Sequence, residues 1–382
     1  MLRKIIFPCL LMLFVLSGCW DIREIEDVGI ITGMGLDVNE EKDELTMINQ
    51  YVVPGKIPTQ QTISQHTVPY QNISQSGKTF FEIIRNNSLE SNRPPNYTHL
   101  KSILSSTALF EKERADKVID LFIRDHEFRR TTPVYLTRDP VPDILSTNPV
   151  KEFFPSIQIK SLSENSNKNN KNSKNFTIGD MSQMISEKKS FLIPGIALNG
   201  GKIKASGAGI IEAGSSKYIG WIDSEDMEGV RYIQNTVQGG FLYLDEENVD
   251  DGPIVLEIKG SKTKFKTKVS GDKPEMTIQI STSTVLAEDW GTGRNVYNKG
   301  WKKGIEEAAN TVIQRKVERV LKLAQQEYQI DFLNISKWVN IHEPKYWREH
   351  KKEWNEIFPD MDFKVEITTE ITDFGTQNFN TE

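Results

Sequence analysis

Val28-Gly29-Ile30-Ile31-Thr32-Gly33-Met34-Gly35-Leu36-Asp37 is the stretch that sets the fold class. Val28, Ile30, Thr32, Met34 and Leu36 recur at period two, the repeat of a strand with one face turned inward. Gly29, Gly33 and Gly35 occupy the opposite face, where missing side chains admit a closely packed neighbour. Residues 44–53 carry a second strand pattern. The polar run Asn39-Glu40-Glu41-Lys42-Asp43 between them reads as the turn of a hairpin.

Outward from that hairpin, residues 79–89 pattern as a helix and 99–109 as a strand. Residues 112–126 place Ala115, Val118, Ile119 and Phe122 at helical spacing, and 131–137 follow as a strand. Hairpins mixed with helices argue for α+β and against a regular βαβ series. Residues 161–174 are rich in Ser, Asn and Lys and are expected to be a solvated loop that buries almost nothing. Residues 177–187 form a short helix pattern, and 202–211 and 218–222 are strands split by Gly214-Ser215-Ser216. Asp223 or Ser224 is placed to cap a helix with Glu225 and Asp226 in its first turn and Met227, Val230, Ile233 and Val237 inside.

Four further strands are expected at 241–244, 253–259, 264–269 and 276–287. The longest helix signal spans about 296–329, with Trp301, Ile305, Ala308, Val312, Val320 and Leu323 along one face. A second helix opens at Pro344, carries Trp347, Trp354 and Phe358, and stops at Pro359. Residues 363–372 alternate as a half-buried strand. The expected fold is a multi-domain α+β protein with mixed or antiparallel sheets packed by helices. Three domains are expected, at 19–197 (with the Ser/Asn/Lys-rich loop at 161–175), 198–272 and 273–382.

Residues 1–18 precede these domains. Arg3 and Lys4, the apolar run 5–15 and small Ser17-Gly18 follow the layout of a secretory signal peptide, and the run is too short to cross a bilayer. Leu16-Ser17-Gly18-Cys19 resembles the lipobox of bacterial lipoproteins. There the thiol receives diacylglycerol and the chain is cut between the residues that stand here as Gly18 and Cys19. A plain signal peptide with a chance cysteine is the competing reading, but cleavage sites of that type favour alanine and none is present. Two acyl chains hold a protein stably where one holds only marginally.

The chain has two cysteines, Cys9 and Cys19. The first leaves with the signal and the second carries lipid, so no thiol is left for a disulfide, a metal or a nucleophile. Net charge is −6, and near −8 once the two positive charges of the signal are gone. That balance disfavours a nucleic-acid partner and electrostatic attraction to anionic lipid, so the lipid and not the surface charge is expected to do the holding. There is no P-loop, H-E-x-x-H or G-x-S-x-G. His66, His99, His126, His342 and His350 show no zinc-ligand spacing, and no metal, cofactor or catalytic residue is expected. Gly195, Gly200, Gly201, Gly207 and Gly209 straddle strands with no helix behind them, so they read as turns and tight packing, not a phosphate loop. Trp221, Trp301, Trp347 and Trp354 read as core, not as a shared pocket.

Several stretches together resemble the C-subunit lipoproteins of bacterial spore germinant receptors, the Ger(x)C family. They are Cys19-Trp20-Asp21-Ile22-Arg23-Glu24-Ile25, Gly33-Met34-Gly35-Leu36-Asp37, and Arg124-Asp125 within 121–129. Ile219-Gly220-Trp221-Ile222-Asp223 with Glu225 and Gly229 is the most recognisable. His342-Glu343-Pro344-Lys345-Tyr346-Trp347, Trp354 and Phe358-Pro359 fit the closing pattern. The family has glycines soon after the long helix, where this chain reads Asp331-Phe332-Leu333-Asn334-Ile335. The resemblance implies a three-domain α+β ectodomain tethered at the outer face of the inner spore membrane. It implies a non-enzymatic subunit acting with integral A and B subunits to trigger germination, with diacylglycerol on Cys19 and no other bound group. Two rival classes are a solute-binding lipoprotein delivering a nutrient to a transporter and an anchored peptidoglycan hydrolase.

Overall fold

The computed structural model describes residues 28–57, 68–149, 151–165, 168–245, 247–250, 252–270, 273–291 and 298–374. The expected signal, Gly18, Cys19 and His66, as well as residues 296–297 at the start of the expected long helix, lie outside the described residues. The opening stretch forms β1 (Gly29–Asn39), paired antiparallel with β2 (Glu44–Val52) as the expected hairpin. Its alternation is corrected in one place. A bulge between Ile31 and Gly33 shifts the register, so Ile31 joins Met34 and Leu36 in the core while Ile30 is only half-buried. One extra residue in a strand reverses the faces of everything before it. The glycine face is as tightly packed as its composition requires. A Cβ on Gly33 would lie 2.5 Å from Ser156 Cβ, and one on Gly35 would lie 2.6 Å from Val141 Cγ1.

β3 (Tyr70–Gly77) extends the hairpin, and α1 (Phe80–Glu90) follows, its N-cap Thr79 accepting from the amide of Glu82. β4 (Pro95–Asn96) lies beside the start of β1, and β5 (Ser102–Ser106) runs parallel to β1. The strand expected over 99–109 ends at Ser106 because that side chain accepts from Leu109 N at 3.1 Å, opening α2 (Thr107–Lys112). In α3 (Ala115–Arg124) the residues Ala115, Val118, Ile119 and Phe122 are all buried, as their spacing requires. β6 (Val134–Thr137), α4 (Val141–Leu145) and α5 (Pro155–Glu164) come next. Thr177 and Asp180 form a capping box on α6 (Ile178–Ser186). β7 (Phe191–Asn199), β8 (Lys202–Ile211) and β9 (Tyr218–Ile222) complete a nine-stranded sheet of order β3-β2-β1-β5-β6-β7-β8-β9, with β4 beside β1.

The Ser/Asn/Lys-rich stretch is not the solvated loop that its composition predicts. Residues 161–164 finish α5, and the buried Ser163 hydroxyl lies 2.6 Å from that of Tyr135 and donates to Asn175 Oδ1 at 2.7 Å. Asn170 is 1% exposed. Short polar side chains can be buried when each finds a partner, which composition alone does not reveal.

α7 (Ser224–Ile233) buries Met227, Val230 and Ile233, and Val237 just beyond it, as expected. Its expected cap differs: Asp223 stands at the N-cap without a side-chain bond, and Ser224 Oγ accepts instead from Gly207 N at 3.0 Å. β10 (Phe241–Leu244), β11 (Ile254–Ser270) and β12 (Lys273–Asp289) follow, so the two strands expected over 253–269 are one strand with a bulge near Gly260. α8 (Lys299–Lys322) runs into a π-helical turn, Leu323–Glu327. α9 (Ile335–His342) is an additional helix. The single helix expected from Pro344 is divided into α10 (Pro344–His350) and α11 (Trp354–Ile357), which still bury Trp354 and Phe358. β13 (Asp362–Asp373) pairs parallel to β12, giving a four-stranded sheet of order β10-β11-β12-β13.

The architecture is therefore α+β with two sheets and a long helix in the C-terminal part. One apolar core spans β8, α7, β10–β12 and α8–α11, and a second fills the large sheet under α1, α3 and α6. The segment limit at 197/198 falls inside β7, which is paired along its length with β8.

Candidate functional site: the junction of the two sheets

β9 and α7 carry the stretch Ile219-Gly220-Trp221-Ile222-Asp223 and its followers Glu225 and Gly229, and together they join the large sheet to the C-terminal core. Two glycines set the spacing. A Cβ on Gly220 would lie 2.2 Å from Tyr328 Cε1, and one on Gly229 would lie 2.3 Å from the carbonyl oxygen of Lys316 on α8. Glycine lets β9 receive the tyrosine ring and lets α7 approach α8 backbone to backbone. The Tyr328 hydroxyl donates to the Trp221 carbonyl at 3.2 Å, and the Arg138 guanidinium sits 4.6 Å above the Trp221 ring.

Below this contact is a cluster of charges shared between α7, α8 and the polar stretch after α5. Glu228, with 4% of its side chain exposed, meets Lys316 Nζ at 2.9 Å and accepts from Asn170 Nδ2 at 3.3 Å. Asp226 receives two bonds from the Arg319 guanidinium, and this pairing holds Arg319 above the ordinary arginine range. Lys171 bonds Glu225 and keeps its carboxyl below the usual range. Arg231, 2% exposed, donates to the carbonyls of Asn169 at 3.0 Å and Thr236 at 2.7 Å, and its burial lowers its pKa. Each of these charges meets a structural partner, so the arrangement fastens three segments together.

Of the residues singled out in the sequence, the structure gathers Gly195, Gly207, Gly220, Trp221, Asp223, Glu225 and Gly229 at this junction, where a Cβ on Gly195 would lie 2.3 Å from Trp221 Cζ2, and it leaves the histidines dispersed. His126 is 96% exposed, His342 Nδ1 lies 3.2 Å from Thr267 Oγ1, and His350 stacks on Tyr346 at 4.2 Å. Among the described residues no group of His, Cys, Asp and Glu could hold a metal ion. Trp347 and Trp354 pack edge to face at 5.3 Å in the C-terminal core, while Trp221 packs against the core of the large sheet. Gly200 and Gly201, with φ of 57° and 73°, make the β7–β8 turn. A groove of about 750 Å³ between α1 and α3 is floored by Phe80, Phe81, Val118 and Leu121. The charged partners Lys171, Lys316 and Arg319 and the Asn169 carbonyl were not legible, because each is polar on a polar face and its mate is 54 to 93 residues away.

The family described as spore germination protein N-terminal domain matches residues 21–198, and that described as spore germination B3/GerAC-like, C-terminal, matches residues 206–375. Spore germination protein B3 of Bacillus subtilis (strain 168) is 33% identical over 370 residues, 96% of each chain. The chain belongs to the GerAC-like spore germination protein family. Another member, spore germination protein A3 of the same strain, is 27% identical, with 98% of each chain covered. The crystal structure of the GerBC protein superposes with a TM-score of 0.61 at 27% identity, covering 92% of this chain and 100% of that one. The α+β fold described above is thus a GerAC-like fold, and a role in spore germination comes with the family.

Proposed function

We propose that this chain is the lipid-anchored, non-enzymatic subunit of a spore nutrient-germinant receptor. It is cut between Gly18 and Cys19, carries diacylglycerol on Cys19, and acts with integral A and B subunits at the outer face of the inner spore membrane. Family membership over both halves of the chain carries the reading. Leu16-Ser17-Gly18-Cys19 supports the anchor, and among the described residues no helix is long and apolar enough to cross a membrane. The junction supports action by contact, since its ionised groups are spent on one another. Confinement to a membrane plane raises the effective concentration of integral partners, so modest interfaces suffice. The solute-binding alternative calls for two βαβ lobes around a cleft, and the two sheets here differ in size and topology.

Detergent extraction from spores, followed by purification of this chain, is expected to bring down two polytopic membrane proteins. Spores carrying Cys19→Ala are expected to lose the tether and respond poorly to nutrient. A normal nutrient response with a normal level of unlipidated protein would sink the anchor, and recovery of a transporter would favour the solute-binding class.

A further inference from the structure

Val28, the first described residue, is nine residues after Cys19 in the sequence. A lipidated cysteine therefore lies within about 30 Å of the start of β1 even with the link fully extended. Several elements meet at that end of the large sheet. Gly29 is paired with Pro95 of β4, and Tyr51 of β2 lies against Gly29. α1 finishes there, with Asn87 Nδ2 donating to the Tyr51 hydroxyl at 2.8 Å. The Phe128 ring is 4.8 Å from that of Tyr97, the residue after β4, which places Arg129 and Arg130 at the same end. Pro54–Lys56 follows β2 directly.

The surface of this end is unlike the acidic body. Leu89, in the last turn of α1, is 85% exposed and Ile57 is 40% exposed. Lys56, Arg93, Arg129 and Arg130 are exposed, and none forms an ion pair with another described residue. Of the carboxylates near this end, Asp125 and Glu127 are half-buried, Glu90 ends α1 directly after Leu89, and Asp21, Glu24, Glu26 and Asp27 lie in the sequence between Cys19 and Val28. Exposed cations around exposed aliphatic side chains suit an anionic headgroup layer, where the cations meet phosphates and the aliphatic groups leave water. A second row of exposed lysines, Lys262, Lys264, Lys266 and Lys268, has a different explanation. It lies on β11 beyond the residues paired with β10, where lysine guards an open strand edge.

We infer that the end of the large sheet where β1 begins rests on the anionic membrane surface. Leu89 and Ile57 enter the headgroup layer, and Lys56, Arg93, Arg129 and Arg130 lie against lipid phosphates. This orientation rests on anchorage at Cys19, and it turns the junction and the C-terminal sheet toward other partners.

The test uses the full lipidated chain, in which Cys19 is blocked, carrying either Leu89→Cys or Ile341→Cys. Ile341 on α9 is 54% exposed and serves as the reference. Sedimentation with vesicles reports the anchor, and labelling by a membrane-impermeant maleimide reports the contact. On vesicles containing phosphatidylglycerol, labelling at 89 is expected to slow by roughly tenfold relative to pure phosphatidylcholine, with 341 unchanged. Replacing Lys56, Arg93, Arg129 and Arg130 by Glu is expected to restore fast labelling while the protein still sediments, and replacing Lys262, Lys264 and Lys266 by Glu to change nothing. Sedimenting protein with equal labelling at 89 and 341 overturns the orientation but keeps the anchor. Protection that needs integral partner proteins, or that is lost through the β11 lysines, also overturns it. Protein that fails to sediment removes the anchor and the orientation together.

Discussion

The indole Nε1 of Trp354 donates to the buried carboxylate of Asp331 at 3.1 Å, tying α11 to the turn that precedes α9. The same carboxylate accepts from the amides of Ile335 at 2.8 Å and Ser336 at 2.7 Å. It thereby caps α9 in place of Asn334, which sits at the N-cap with a left-handed φ of 64° and makes no side-chain bond. Asp331→Ala leaves three donors without their acceptor, so the loss of stability is expected to be about 2–4 kcal/mol. Urea unfolding of the full chain checks it, and a loss under about 0.5 kcal/mol, the scale of an unremarkable surface change, would count against the role.

Asp331 also gives a pH dependence of definite sign. Burial pushes its carboxyl above the ordinary range, against the opposing pull of its donors. A carboxyl with a raised folded-state pKa gives an advantage to the folded chain that is complete below the unfolded value, about 3.9. The advantage is lost as pH rises through the folded value. Asp331→Asn cannot ionise. The stability of the wild type relative to Asp331→Asn is therefore expected to fall as pH rises from about 4 and then to level off. A difference that grows with pH would have the wrong sign.

Breaking the Glu228–Lys316 pair tests the junction. Lys316→Met removes the nearer of the two cations on the buried Glu228 carboxylate, with an expected cost of about 3 kcal/mol, eased by Lys171 at 4.0 Å and by Asn170. The double change Glu228→Gln, Lys316→Met removes both charges and is expected to cost less than Lys316→Met alone. Additive losses in a double-mutant cycle would show that the two side chains do not act as a pair.

Gly229→Ala is expected to force α7 and α8 apart, because the new methyl meets both the Lys316 carbonyl and Val320 Cγ2, the latter at 2.7 Å. Overpacking of this kind costs about 1–3 kcal/mol. Thermal unfolding of the full chain measures it, and an unchanged midpoint would mean that the helices are free to separate.

Much of the fold was legible in side-chain spacing. Ala115, Val118, Ile119 and Phe122 give α3, and Met227, Val230 and Ile233 give α7, because an amphipathic helix writes its inner face into the sequence. β3 and β7 were not, since Tyr70–Gly77 is an edge strand with polar side chains and Phe191–Asn199 is buried without alternation. The bulge at Ile31–Gly33 leaves no mark in composition. At the junction, Gly220, Trp221 and Gly229 stood out through family likeness, but the need for those glycines became clear only with Tyr328 and the Lys316 backbone in place. After the long helix, Gln329 and Asn334 take positive φ of 55° and 64°, so this chain turns there without glycine.

β7 meets β6 at a single register position, Leu136 with Gly195, but pairs with β8 from Phe191 to Asn199. A fragment stopped at residue 198 would lose that hairpin partner. It would leave Phe191, Leu192 and Ile193 on a bare strand edge, a template for self-association. The two halves recognised as separate families are thus one folding unit along this seam, and dissecting the chain there would yield aggregate before it yielded a domain.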